Sequence, residues 1–104
     1  MLYEIKTYQI APGRMRDCVN LYTEHGYKHF KPFEQNLLGY FVSEVGELNQ
    51  LVQMWKFDSY SQRQIMLETL RADPEFTAFI ARLAPLLQQQ RSMFMSAAPF
   101  ARCV

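Results

Sequence analysis

Residues 43–59 read SEVGELNQLVQMWKFDS, and three kinds of signal follow one another within them. The acidic, Gly-centred EVGE supplies a flexible turn position at Gly46. NQLVQMWKF, residues 49–57, reads as a strand and contains Trp55, the only tryptophan of the chain. The residues before the turn, LLGYFVSEV at 37–45, read as another strand, and so short a connection makes the two an antiparallel hairpin. Asp58 and Ser59 then suit a helix N-terminus. Ser59 with Gln62 forms an S-x-x-Q capping box, so a helix is expected from there to about residue 72.

Working outward, LYEIKTYQI at 2–10 is rich in β-branched and aromatic residues and reads as the first strand. APG at 11–13 is a turn signal. Met15, Cys18, Val19, Tyr22, Gly26 and His29 follow helical spacing and predict an amphipathic helix over roughly 13–30, stopped by Pro32. Beyond the hairpin, Asp73-Pro74 marks a fresh helix start, with Asp73 as cap and Pro74 at the first helical position. Phe76, Phe79, Ile80 and Leu83 form its apolar stripe, and Pro85 limits it. QQRSMFMSA at 89–97 reads as the last strand, and the tail from Ala98 has no pattern.

The order is β-α-β-β-α-β with the second helix broken. That is the α+β, ferredoxin-like split arrangement, a four-stranded antiparallel sheet with its helices on one face. The other face is left uncovered, which predicts a partner, most simply a second copy in a homodimer.

A chain of 104 residues fits one domain. Its 49% hydrophobic and 20% charged residues are those of a folded globular protein rather than a disordered one. The net charge of +1 with scattered basic residues argues against nucleic acid as a partner, because phosphate binding needs a concentrated basic face. No apolar run approaches the roughly 20 residues of a membrane span, and MLYEIKTYQI lacks the regions of a signal peptide. Cys18 and Cys103 form no CxxC pair and read as free thiols in a reducing cytoplasm.

Alternation along the strands sorts the side chains into two sets. Val52 and Met54 on the third strand are uniformly apolar and fit the helix-covered face. Glu4, Lys6, Tyr8, Gln53, Trp55 and Phe57 mix charge with aromatic rings, and are expected on the face away from the helices. Apolar walls with a few convergent polar groups are also the composition of a ligand pocket.

YEIKTYQIAPGRM, YTEHGY, SEVGELNQLVQMWKFDSYSQR, RADPEFTAF and the late APF, in this order, resemble the NIPSNAP family over nearly the whole chain. The resemblance implies a subunit of the dimeric α+β barrel superfamily, in which two sheets pack into one barrel and a pocket often lies between sheet and helices or along the barrel interior. Relatives in that superfamily include cofactor-free monooxygenases, haem-degrading enzymes, isomerases and small-molecule sensors, whereas the NIPSNAP family itself lacks a defined biochemistry. The family often carries histidine two residues before the tryptophan. Here Gln53 stands there, a residue that donates and accepts hydrogen bonds but is no base near neutral pH.

Each candidate site residue has two readings. His25 and His29 have a spacing a metal could use, but no third ligand is evident, and a histidine near a helix end also suits the dipole; no metal is expected. Glu4 and Lys6 could be an acid–base or orienting pair, or an ion pair at an interface. Tyr8, Tyr40, Phe41 and Trp55 could line a cavity or fill a core. Arg91 could meet an anion, although Met93 and Met95 in its phase favour a covered position. No nucleotide-binding, phosphoryl-transfer, hydrolase or zinc motif occurs.

The expected function is binding of a small, partly apolar molecule near Tyr8, Phe41, Gln53 and Trp55, with Glu4, Lys6 or His25 as polar groups. Any turnover would be of the cofactor-independent kind. The competing reading is a non-catalytic interaction module whose mixed sheet face is consumed by its partner.

Overall fold

The computed structural model describes residues 1–104. Four strands, β1 (Leu2–Ile10), β2 (Leu37–Val42), β3 (Gln50–Phe57) and β4 (Leu87–Met95), form one sheet in the order β2-β3-β1-β4. All neighbours are antiparallel, which is the ferredoxin-like topology. Three α-helices, α1 (Met15–Leu21), α2 (Tyr60–Arg71) and α3 (Pro74–Leu83), complete the repeat of two βαβ-type halves. No helix is long and apolar enough to cross a membrane.

Local chemistry accounts for the element ends. The hairpin connection between β2 and β3 turns through Gly46 at φ 96° and Asn49 at φ 59°, left-handed positions that glycine and asparagine tolerate best. Asn49 also accepts the Ile10 amide at 2.7 Å, tying the turn to the end of β1. Ser59 Oγ caps α2 by accepting the Gln62 amide at 3.2 Å, while the Gln62 side chain reaches back to the Asp58 amide at 2.6 Å. Asp73 caps α3 by accepting the Glu75 amide at 2.9 Å, with Pro74 at the first helical position.

The helix expected over 13–30 is not uniform. Its α-helical part ends at Leu21, a π-helical turn spans Tyr22–Gly26, and short 3-10 turns cover Tyr27–His29 and Lys31–Asn36. The reason lies in packing. A side chain at Gly26 would place its Cβ 2.4 Å from the Phe79 ring, so the wide turn presents bare backbone to α3. A local widening of this kind is how a helix changes phase without breaking.

Register fixes which residues share a face. Glu4 pairs with Trp55, Lys6 with Gln53 and Tyr8 with Leu51. The expected grouping of Glu4, Lys6, Tyr8, Gln53, Trp55 and Phe57 therefore holds, but its side is the reverse of that expected. This face lies under the helices. Glu4, Gln53, Trp55 and Phe57 are 2%, 3%, 2% and 2% exposed, while Val52 and Met54 turn to the open face and are only half-buried. Uniform apolarity was a misleading guide because α2 supplies Arg63 to the buried Glu4, and a paired charge can be buried where a lone one cannot. The mixed face is thus covered by the chain's own helices, and is not available to be consumed by a partner. The open face carries Tyr3, Ile5, Val52 and Met54, and the tail residues Ala98 and Cys103 lie beside Tyr3 and Met54 on it.

Candidate functional site

Between sheet and helices lies a cavity of about 340 Å³. Its floor is the mixed sheet face, from Glu4, Lys6 and Tyr8 on β1 to Gln53, Trp55 and Phe57 on β3. Tyr22 and Phe30, after α1, close one side. α2 contributes Arg63, Met66, Leu70 and Arg71, and α3 contributes Phe76, Thr77, Phe79 and Ile80. Arg71, Thr77 and Ile80 are solvent-exposed and mark the mouth, whereas Trp55, Phe57 and Phe79 are each 2% exposed and mark the depth.

The walls are aromatic. Phe30 packs on Trp55 with centroids 5.6 Å apart and meets Phe76 edge-on at 6.0 Å. Trp55 and Phe57 lie parallel at 6.3 Å, and Tyr22 meets Phe79 edge-on at 5.0 Å. Rings at these separations and angles are held mutually, which fixes the shape of the space between them.

Polar groups are few and oriented. The Trp55 indole N–H donates to Gln53 Oε1 at 2.9 Å. That bond fixes the oxygen of the Gln53 side chain, and its amide NH2 makes no hydrogen bond within the protein. Glu4 accepts from Arg63 Nε at 2.8 Å and from Arg63 Nη2 at 3.1 Å, and Ser92 Oγ donates to it as well. Burial raises the pKa of this carboxyl, but the hydrogen bonds from Arg63 and Ser92 and the charges of Lys6 and Arg63 outweigh it, so the net position is below the usual 4.5. An ionised carboxylate with so many donors is a poor proton acceptor at neutral pH. The Lys6 ammonium stands 5.8 Å from the centre of the Tyr8 ring, a cation–π distance that draws it along β1 over the cavity floor.

Of the residues singled out in the sequence, Glu4, Lys6, Tyr8, Gln53 and Trp55 meet in this cavity, whereas His25, His29, Tyr40, Phe41 and Arg91 do not. Phe41 points to the open face, 52% exposed, with its ring over Gly39. It pairs with Val52, one residue out of phase with Gln53. His25 sits on the π-helical turn with its side chain exposed, 3.7 Å from Glu24. His29, four residues on, is buried elsewhere, with Nδ1 3.4 Å from Asp73 and its ring edge-on to Phe76. No three His, Cys, Asp or Glu side chains converge as metal ligands. Arg91 is exposed opposite Thr7 on the open face, not covered as its phase with Met93 suggested. Tyr40 lies beside Tyr22 at 5.4 Å, and burial pushes both hydroxyls well above their usual range.

Sequence reading missed the helical wall, above all Arg63 and Arg71. The signal was present in the spacing. Arg63, Met66, Leu70 and Arg71 fall at i, i+3, i+7 and i+8, one face of α2.

A ferredoxin-like α+β domain with an aromatic cavity between sheet and helices is the class that fold and geometry define. The NIPSNAP family model matches residues 3–102, and the chain belongs to the NIPSNAP family. Among solved structures it is similar to a NIPSNAP family protein of Agrobacterium tumefaciens (31% identity, TM-score 0.88, 96% of this chain and 88% of that one). A NIPSNAP domain protein of Burkholderia xenovorans is similar at 34% identity and TM-score 0.86, over 99% of this chain and 100% of that one. Among curated proteins, NipSnap homolog 3A of Homo sapiens is 23% identical over 98% of this chain and 41% of its own length. The chain thus spans less than half of that relative, and only 18% of a putative NipSnap protein of Caenorhabditis elegans. At 21% identity and TM-score 0.67, an antibiotic biosynthesis monooxygenase shares the fold.

Proposed function

We propose that this domain binds a small, partly apolar molecule in the cavity between its sheet and its helices. The observation that supports this is the cavity of about 340 Å³ reaching down to Trp55, within the 300–1,000 Å³ or so of ligand sites. Aromatic walls would hold the body of the ligand, and Gln53, Lys6 and Arg71 would orient it. Any turnover would be cofactor-independent oxygenase or isomerase chemistry. Glu4, locked by Arg63 and Ser92, would serve in it as a fixed charge rather than as a base.

The test uses Trp55, the sole tryptophan, as a local reporter. Titrating a broad metabolite panel against its fluorescence should give saturable changes for a subset. Leu67 also lines the cavity from α2, and Leu67→Phe, which narrows the space, should weaken those same compounds. A panel that leaves Trp55 unchanged would sink the proposal.

The uncovered sheet face supports a second copy of the chain as partner. Burial of Tyr3, Ile5, Val52 and Met54 would drive the association. Sizing at micromolar concentration should give about twice the 12.3 kDa of one chain, and a monomer at that concentration would overturn the dimer.

A further inference from the structure

We infer that the cavity selects anions, specifically apolar or aromatic carboxylates, with the carboxylate held between Lys6 and Arg71 and the Gln53 amide as a further donor. This rests on the proposed ligand site and names its chemistry. The argument begins with charge. Three cations, Lys6, Arg63 and Arg71, line the cavity against one carboxylate, Glu4. Glu4 is already matched by both nitrogens of the Arg63 fork and by Ser92, so it has little left to offer another cation. Neither Lys6 nor Arg71 has a carboxylate within 4.0 Å. The acids nearest Arg71 in sequence are engaged elsewhere. Glu68 accepts from Gln64, and Asp73 lies 3.4 Å from His29. Arg71 has no counter-ion and Lys6 has only the charge of Glu4, which it shares with Arg63, so three cations against one carboxylate leave a positive field there that an anion would satisfy.

The neutral polar group agrees with the charges. The Gln53 oxygen accepts from the Trp55 indole, and the amide NH2, with no protein partner, is a donor a ligand can use. The lining hydroxyls of Tyr8, Tyr22 and Thr77 can donate or accept, while the free charged groups, Lys6 and Arg71, only donate, so acceptors on the ligand are favoured. The rest of the lining, Phe30, Trp55, Phe76 and Phe79, calls for an apolar and preferably flat body. Size sets the scale. A cavity of about 150 Å³ accommodates benzene, so about 340 Å³ has room for a ring carrying a short acidic chain. Arg71 and Lys6 differ in their work. A guanidinium at the exposed mouth can grip a carboxylate by two hydrogen bonds, while an ammonium acts as a point charge.

The experiment compares three probes of one shape: 3-phenylpropanoate, its neutral amide and 3-phenylpropylamine. Binding is followed by Trp55 fluorescence and by the Trp55 indole N–H resonance. The carboxylate is expected to bind at least roughly tenfold more tightly than the amide, as a charge-assisted hydrogen bond implies, and the amine least. Arg71→Gln and Lys6→Met should each shrink the carboxylate-to-amide ratio severalfold. Arg71→Gln alters an exposed side chain, so it keeps the test available should Lys6→Met fold poorly. If the amide or the amine binds as tightly as the carboxylate, the anion inference fails while the ligand site stands. If no probe perturbs Trp55, the inference fails as well, and the broad metabolite panel decides separately whether the ligand site stands.

Discussion

The Trp55 indole and the Gln53 side chain, two residues apart on β3, form a closed pair: the indole N–H donates to Gln53 Oε1 at 2.9 Å, with both residues at most 3% exposed. Alternation along a strand makes such a pair possible, because i and i+2 share a face. A buried indole N–H without a partner would cost about 1–3 kcal/mol. Gln53→Leu should therefore lower stability by about that amount, read as a reduced denaturant midpoint. An unchanged midpoint would show that the bond contributes nothing. Gln53→His, which puts a titratable ring against the indole, should make Trp55 fluorescence depend on pH near about 6.5, a dependence the natural sequence should lack.

Glu4 and Arg63 give a second prediction. Removing one member of a buried pair strands the other. Arg63→Met should cost about 3 kcal/mol, and Glu4→Gln introduced beside it should recover part of the loss. Urea midpoints for the two single variants and the double variant check the coupling. Additive losses would show that the two residues do not act as a pair.

The same carboxylate sets a pH dependence. The folded pKa of Glu4 lies below the usual 4.5, so the folded state prefers the ionised form more than the unfolded state does. Its contribution to stability is full above about 4.5 and is lost as pH falls through the lower, folded value. Denaturation midpoints of the natural chain should fall over that acidic range, and Glu4→Gln should flatten the fall. An equal fall in both would assign the acid sensitivity to other carboxylates.

The topology was legible because its signals are local. The capping box at Ser59, Asp73-Pro74 and the Gly46 turn each set an element boundary within a few residues, and alternation grouped Glu4, Lys6, Gln53 and Trp55 correctly. Which side that group faces was not legible, because it depends on one long-range partner: Arg63 lies 59 residues from Glu4. The π-helical turn was equally hidden. Helical spacing from Met15 to His29 predicts continuity, whereas the widening answers to the Phe79 ring on another helix.

That close approach makes Gly26 and Gly39 a controlled comparison. A Cβ on either would lie 2.4 Å from an aromatic ring, Phe79 for Gly26 and Phe41 for Gly39. Phe79 is 2% exposed and has nowhere to go, while Phe41 is 52% exposed and can swing into solvent. Gly26→Ala should lose about 1–3 kcal/mol through overpacking. Gly39→Ala should stay within about 0.5 kcal/mol, as surface changes usually do. Thermal melts of the two variants separate these outcomes, and equal losses would contradict the packing account of the π turn.

The two cysteines should differ in reactivity as sharply as in burial. Cys18 is fully buried on α1, and burial pushes its thiol from 9.0 up to about 11, so almost none is thiolate at neutral pH. Cys103 is exposed in the tail. A disulfide reagent such as DTNB should titrate one thiol rapidly in the native protein and the second only on unfolding, with Cys103→Ser abolishing the fast phase. The sign at high pH follows from the raised value. The folded state keeps the Cys18 proton that the unfolded state releases, so this contribution is complete below about 9 and declines as pH climbs toward about 11. Cys18→Ala should remove that alkaline decline while lowering stability at neutral pH through the cavity it leaves. Two equally fast thiols in the native protein would refute the buried placement of Cys18.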